Sequence, residues 1–382
     1  MNRGLSLWLD AARVGAAFVV LLSHFAYAWA SGGGLAWIRD WNLGSDAVVL
    51  FFVLSGLVIA HTTALKDHTP GGFALARLSR LYSVAAPALL ISVVCALLAQ
   101  TISPHVFASI DPGDAGFSTA DIFEQVLRGL TFTNYVWWDS QRIVANGPYW
   151  SVAYEFWHYA IFGAAVFLRG PVRIIAIAAI CALLGPKVLL LLPCWLAGVA
   201  AQRVLADGFA ERVSSVQAWL LALLPAAIYV GLLLIDMPHR LNDITRQIIG
   251  GFDPNAVFSF SDEFLWNFVL AVLVAAHFLG MSRLLGSGSA LLDRLAPPIR
   301  WISGRTFSIY LFHMPLLKLG ACMPGYDPAN PLHAVTLLCC AIAGCLVLAE
   351  FTERRLPQWR GMIAAIGKTV AQTATRIRPA AA

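Results

Sequence analysis

The chain is short of charge. Only 12% of its 382 residues are Asp, Glu, Lys or Arg, about half the ~25% usual in soluble domains. So little charge cannot solvate the surface of a soluble protein this long. Metal-spaced cysteines are also missing. The 7 Cys contain no CxxC pair, and Cys95, Cys181, Cys194, Cys339, Cys340 and Cys345 sit in apolar runs, where Cys acts as a small hydrophobe. Their odd number excludes a fully paired disulfide framework. A net charge of +5 is modest and gives no sign of a nucleic-acid partner. The sequence shows no internal repeat and no appended soluble domain. Apolar residues are abundant instead: 59% are hydrophobic, with 13 Trp and 22 Phe, and the mean hydropathy is +0.72. These features describe a multi-pass membrane protein whose main solvent is the lipid bilayer.

Hydropathy predicts an all-α transmembrane helix bundle of about ten spans, near 7–30, 45–64, 81–101, 148–168, 174–192, 193–206, 217–236, 263–281, 302–320 and 332–350. The sixth is short enough to be broken or tilted. An apolar stretch near 126–137 has a re-entrant character. With the N-terminus in the cytoplasm, Lys66, Arg77, Arg80, Arg169, Arg173, Arg283, Arg294, Arg300, Arg305, Arg354 and Arg355 fall inside. Arg39, Arg128, Arg142, Arg240 and Arg246 fall outside. This bias is the positive-inside pattern, and with an even span number it puts both termini in the cytoplasm. Residues 1–352 then form the transmembrane domain and 353–382 a basic cytoplasmic tail. A rival interpretation of the start is a secretory signal cleaved after Ala28-Trp29-Ala30, but Asp10 and Arg13 interrupt its apolar core.

An ionisable side chain at membrane depth costs about 2.5–3.5 kcal/mol on insertion scales, so it usually faces a cavity, a partner or a reaction. Three places carry such residues. In the first span, Arg13 and His24 lie eleven residues apart. They share a helix face, separated by roughly 16 Å along the axis, and Asp10 is one turn before Arg13. Two accounts fit: a functional cation and imidazole, or a snorkelling Arg with a His bonded inside the bundle. At the fourth span, Ser151, Glu155 and His158 share a face behind Trp150. A carboxylate one turn from a His can orient it, while the aromatic residues suit an outer-interface belt. In the ninth span, Arg305 is expected as an inner anchor and His313 as a packing histidine. His61 and His277 are expected to be structural, and Lys187 and Lys318 to snorkel. Arg77 and Arg80, one turn apart, can both reach a polyanion or simply set topology.

In this order, the pieces resemble acyltransferase family 3, membrane proteins that O-acylate surface polysaccharides, lipopolysaccharide, periplasmic glucans and some secondary metabolites. Leu9-Asp10-Ala11-Ala12-Arg13 with His24 resembles the family's Arg-x10-His pattern. Leu50-Phe51-Phe52-Val53-Leu54-Ser55-Gly56 is similar to its second-span signature, and Arg77 and Arg80 to its basic stretch. Pro148-Tyr149-Trp150-Ser151-Val152-Ala153-Tyr154-Glu155-Phe156 and Ser308-Ile309-Tyr310-Leu311-Phe312-His313-Met314-Pro315 resemble two further motifs, and Glu353 and Pro357 its usual end. Ala47 and Tyr154 depart from the pattern. With no hydrolase-like domain after the last span, the chain resembles the stand-alone members.

The resemblance implies an acyltransferase of the inner (cell) membrane moving an acyl group, by default acetyl, from acyl-CoA to a carbohydrate hydroxyl. His24 is the expected general base, with Glu155 to orient or polarise it or to hold the acceptor, and Arg13 near the thioester; an acyl-His24 intermediate stays open. Arg77, Arg80, Asp10, Ser151, Trp150 and His313 are the expected substrate-binding residues. The aromatic outer residues Trp37, Trp41, Trp137, Trp138, Tyr149 and Trp150 suit either sugar stacking or an interface belt. Acyl-CoA serves as co-substrate, with no metal or redox cofactor. The sequence leaves the oligomeric state open. The rival class is a transporter or flippase, whose permeation route also uses buried Arg, Glu and His, although secondary transporters commonly carry the repeat this chain lacks.

Overall fold

Apolar runs punctuated by proline, glycine and short polar residues become helices with defined starts. Asn2 accepts a hydrogen bond from the Leu5 amide at 2.7 Å. Thr69 accepts from Gly72 at 3.1 Å just before Pro70, and Asn330 accepts from Leu332 at 2.9 Å just before Pro331. Each cap satisfies a backbone donor that the helix leaves orphaned, and a proline in the first turn has no such donor to lose.

The structure is a computed structural model describing residues 1–114, 116–286 and 289–377; residues 378–382 of the expected tail lie outside the described residues. All regular elements among the described residues are helical. The principal ones are α1 (Arg3–Phe25), α2 (Leu43–Leu65), α3 (Pro70–Ile102), α4 (Thr119–Leu130), α5 (Trp150–Phe167), α6 (Gly170–Leu184) and α7 (Leu192–Ala206). They continue with α8 (Ser215–Leu234), α9 (Phe264–Leu284), α10 (Ala290–Ser303), α11 (Thr306–Ala321), α12 (Pro331–Phe351) and α13 (Leu356–Ile377).

Among the described residues, seven segments are long and apolar enough to cross a membrane: α1, α2, α3, Pro186–Ala206 containing α7, α8, Pro254–Leu284 containing α9, and Pro331–Thr369 beginning with α12. The expected spans at 148–168, 174–192 and 302–320 fall on shorter helices, α5, α6 and α11, of 18, 15 and 16 residues. At 1.5 Å per residue α11 is only about 24 Å long. It is a core element: Ile309, Leu311, Phe312 and His313 are fully buried, and α1, α3 and α12 pack around it. Helix α1 belongs to the same core, with Leu5, Leu9, Ala17 and Leu21 buried along its length.

The chain breaks where glycine allows it. Gly185 has φ +74°, and a Cβ there would lie 2.9 Å from Trp137 Cα. The expected span at 174–192 therefore stops at Leu184, and the chain restarts at Pro186 toward α7. Helices α2 and α7 cross at closest approach through two facing glycines. A Cβ on Gly56 would meet Trp195 O at 2.0 Å, and one on Gly198 would meet Val53 O at 2.0 Å. Packing of this kind depends on small residues, since lipid supplies no hydrophobic drive between helices.

The apolar stretch at 126–137 is not one continuous helix. It begins as the end of α4 and continues as irregular chain, with Phe132, Asn134, Tyr135, Ile143 and Asn146 buried. Such buried irregular backbone must find its polar partners within the protein. Two further expectations are corrected here. Lys187 does not snorkel: it is buried and donates to the carbonyls of Trp138 and Asp139 and to Ser140 Oγ. Lys318 does not snorkel either; it forms a buried ion pair with Asp111. Arg305 is likewise buried, bonded to Glu350 and to Trp301 O.

Candidate active site

A cavity of about 290 Å³ opens between α1, α2, α3, α5 and α11. Its apolar wall comes from α2 and includes Val48, Phe51, Phe52 and Val58. This is one side of the second-span signature, whose other side packs on α7. Arg13, Arg77 and Arg80 supply its cations and Glu155 a carboxylate. The one-turn spacing of Arg77 and Arg80 does what helical geometry requires, putting both on the cavity side of α3.

The three guanidinium groups differ in their partners. Arg13 Nη1 bonds Asp10 Oδ1 at 3.2 Å, and Ser303 Oγ donates to the same oxygen at 2.8 Å. Asp10 thus holds Arg13 rather than standing free for a substrate. Arg77 Nη2 pairs with Asp67 Oδ2 at 2.9 Å, leaving its buried Nε without a partner. The Arg80 guanidinium makes no hydrogen bond or ion pair among the described residues and lies 5.9 Å from the centre of the Phe307 ring. Asp10 and Asp67 pair two of the cations, so Arg80, in no ion pair among the described residues, is the guanidinium left open to an anion.

Glu155 is not the partner of His24 or His158. Its Oε1 accepts hydrogen bonds from Ser55 Oγ at 2.7 Å and from the Tyr159 hydroxyl. Trp195 Nε1 donates to Ser55 Oγ at 3.1 Å. His158, fully buried, turns instead to Val188 O at 3.2 Å. The correction has a simple cause: Tyr159 stands four residues after Glu155, so its hydroxyl takes the place that the i+3 histidine was expected to fill. Ser55 and Tyr159 escaped notice as individual residues. Ser55 was visible as the polar member of an otherwise apolar motif, and Tyr159 by its spacing.

Ser151 lines the cavity and bonds Tyr310 Oη at 2.6 Å, and Tyr310 donates to Pro148 O at 3.2 Å. Tyr310, not singled out in the sequence, closes one end of the cavity. Behind it lies His313, with ring centres 6.4 Å apart, and beyond that His24, 5.0 Å from His313. His24 and His313 are absent from the cavity lining. They form a separate pair, with His313 Nε2 3.2 Å from His24 Nδ1. The arrangement therefore has two polar centres, a cationic cavity with Glu155 and an imidazole pair, separated by the Tyr310 ring.

Trp150 is not a cavity residue. Its ring stacks on Phe260 at 4.6 Å and 4°, which occupies the face a sugar would use. Tyr149 is buried too, donating to Gly129 O at 3.1 Å. Trp37, Trp41, Trp137 and Trp138 remain exposed. His277 is hydrogen-bonded within the bundle: it accepts from Trp8 Nε1 at 3.1 Å and donates to Ala222 O at 2.7 Å.

Residues 6–350 match the family model of an acyltransferase domain. No curated protein and no solved structure matches the chain. With that match running over almost the whole bundle, and with helices of membrane-crossing length, the chain belongs to acyltransferase family 3 and is a membrane acyltransferase.

Proposed function

We propose that the protein transfers an acyl group, acetyl by default, from acyl-CoA to a carbohydrate hydroxyl. The observation that carries this is the cavity on which Arg13, Arg77 and Arg80 converge with Glu155. Three guanidinium groups beside a narrow apolar channel suit a donor whose phosphates bind at the mouth while its short acyl thioester points inward. Ten membrane passages with both ends in the cytoplasm would put the Arg77 and Arg80 mouth on the side where acyl-CoA is made. Residues 1–352 would be the catalytic domain, with the basic segment from 353 onward cytoplasmic. A bacterial inner membrane fits that placement.

His24 is the general base. Its ring removes the proton from the acceptor hydroxyl, the oxygen attacks the thioester carbonyl, and the C–S bond breaks with its electron pair on sulfur. The proton then passes from His24 to the departing CoA thiolate. Glu155, held by Ser55 and Tyr159, stands at the cavity end of the path and orients the acyl donor or the acceptor there. The Tyr310 ring between cavity and imidazole pair must turn aside, or the thioester must bend past it, for the two centres to meet.

Purified protein in nanodiscs with radiolabelled acetyl-CoA and a glycan acceptor tests the reaction. The expected result is free CoA with label in the glycan. Glycan transport with no thioester cleavage would establish a transporter instead. Surface glycans of cells with and without the protein should differ by the mass of one acyl group per modified sugar. Reporter fusions after residue 30, at 110–140 and at 240–260 should all report outside; a cytoplasmic signal from 110–140 would overturn the topology.

A further inference from the structure

His24 and His313 approach each other from α1 and α11, and each ring also folds back on its own helix. His24 Nδ1 lies 2.9 Å from Val20 O, and His313 Nδ1 lies 2.9 Å from Ile309 O. A carbonyl oxygen only accepts, so both Nδ1 atoms carry hydrogen. A neutral imidazole has one ring hydrogen, which leaves His313 Nε2 as a bare lone pair. That lone pair sits 3.2 Å from His24 Nδ1. The His24 Nδ1–H is therefore shared between two acceptors, Val20 O and His313 Nε2. The remaining lone pair of His24 is at Nε2, which makes no hydrogen bond among the described residues. His313 is fully buried, whereas His24 is only partly covered.

From this geometry we propose that His313 is a positioning residue that holds His24 in its Nδ1–H tautomer and presents Nε2 as the base. The proposal rests on His24 being the base of the acyl transfer described above. It replaces substrate binding as the role of His313. A neutral ring on His313 is essential, because a second hydrogen, on its Nε2, would face the His24 N–H. The ring is fully buried, where a charge without a partner is costly. During transfer the acceptor O–H bond breaks and a hydrogen bonds to His24 Nε2. The ring is then an imidazolium whose Nδ1–H still points at His313 Nε2. That hydrogen bond becomes charge-assisted when the charge develops, as stabilisation of a transition state requires. Passing the new proton to the CoA thiolate returns both rings to neutrality.

Two measurements test this. In ¹⁵N-histidine-labelled protein in nanodiscs, a difference spectrum against His24→Gln isolates the His24 signals. The expected result is a single tautomer with Nδ1 protonated and Nε2 bare, and a mixture of tautomers in His313→Leu. An Nε2-protonated His24 in the wild type would overturn the proposal. In turnover assays His313→Leu should lower kcat tenfold or more with KM for both substrates unchanged. His313→Gln, whose side-chain carbonyl accepts the same hydrogen bond, should recover most of it. Wild-type kcat in His313→Leu, or equal loss in the two variants at equal folded level, would also overturn it. If the tautomers behave as expected but the wild type transfers no acyl group, the pairing stands and the acyl-transfer role fails.

Discussion

Ser55 Oγ donates a 2.7 Å hydrogen bond to Glu155 Oε1, joining α2 to α5 across the cavity. The Tyr159 hydroxyl donates to the same oxygen, so one carboxylate oxygen is fixed and the other is left for the cavity. Hydrogen bonds to charged groups contribute about 1.5–3 kcal/mol. Ser55→Ala should therefore lower turnover roughly tenfold with little loss of folded protein, and Glu155→Gln should lower it further. Turnover per folded molecule, quantified by fluorescence-detected size exclusion, checks this. Full activity in both variants would remove Glu155 from the reaction.

Arg80 is the cavity cation without a carboxylate partner, while Arg77 is paired with Asp67. Arg80→Ala should raise the donor KM tenfold or more, one charged contact being worth about 1.5–3 kcal/mol, at unchanged thermal stability. Arg77→Ala should raise KM and also loosen the 67–77 turn. The decisive control is an acyl-pantetheine donor without nucleotide phosphates, on which wild type and Arg80→Ala should perform alike. Equal KM values for acyl-CoA would mean that Arg80 only sets topology.

His24→Ala should reduce turnover by about 10²–10⁴, the usual contribution of a positioned general base. His277→Ala is the matched control. It breaks the bonds to Trp8 and Ala222, so it should lower the yield of folded protein and leave the specific activity of the survivors intact. Near-normal turnover by His24→Ala would eliminate His24 as the base.

The Lys318–Asp111 pair is buried on both sides, and it ties α11 to the segment after α3. Removing Lys318 leaves buried Asp111 with only the half-exposed Arg142, 3.9 Å away, and breaking a buried pair costs about 3–5 kcal/mol. Lys318→Met alone should strongly lower the midpoint of thermal unfolding in detergent. Lys318→Met with Asp111→Leu should recover much of it. A single variant as stable as wild type would show that water reaches the pair.

Gly198→Leu should prevent α2 and α7 from closing, because its Cβ has only 2.0 Å to Val53 O. That crossing positions Ser55 and Trp195, so cavity and packing should fail together. Loss of the monodisperse peak on size exclusion is the expected outcome; a folded, active variant would show that the crossing is loose.

The sequence by itself determined the membrane character, the helical class, the family and five of the polar residues that line the cavity, Arg13, Arg77, Arg80, Ser151 and Glu155. Low charge, long apolar runs and one-turn spacings such as Arg77 to Arg80 are local properties, and a helix preserves them. It could not decide which apolar runs are buried against other helices. The run at 302–320 became α11, a largely buried helix, because helices from distant parts of the chain wrap around it. Nor could it decide partners. Glu155 met Ser55 from 100 residues away instead of a nearby histidine, and Lys318 met Asp111 from 207 residues away instead of reaching the interface. His24 met His313 across 289 residues. Burial makes an unpaired polar group costly, so each such group takes the partner that packing brings closest, and that choice belongs to the tertiary structure.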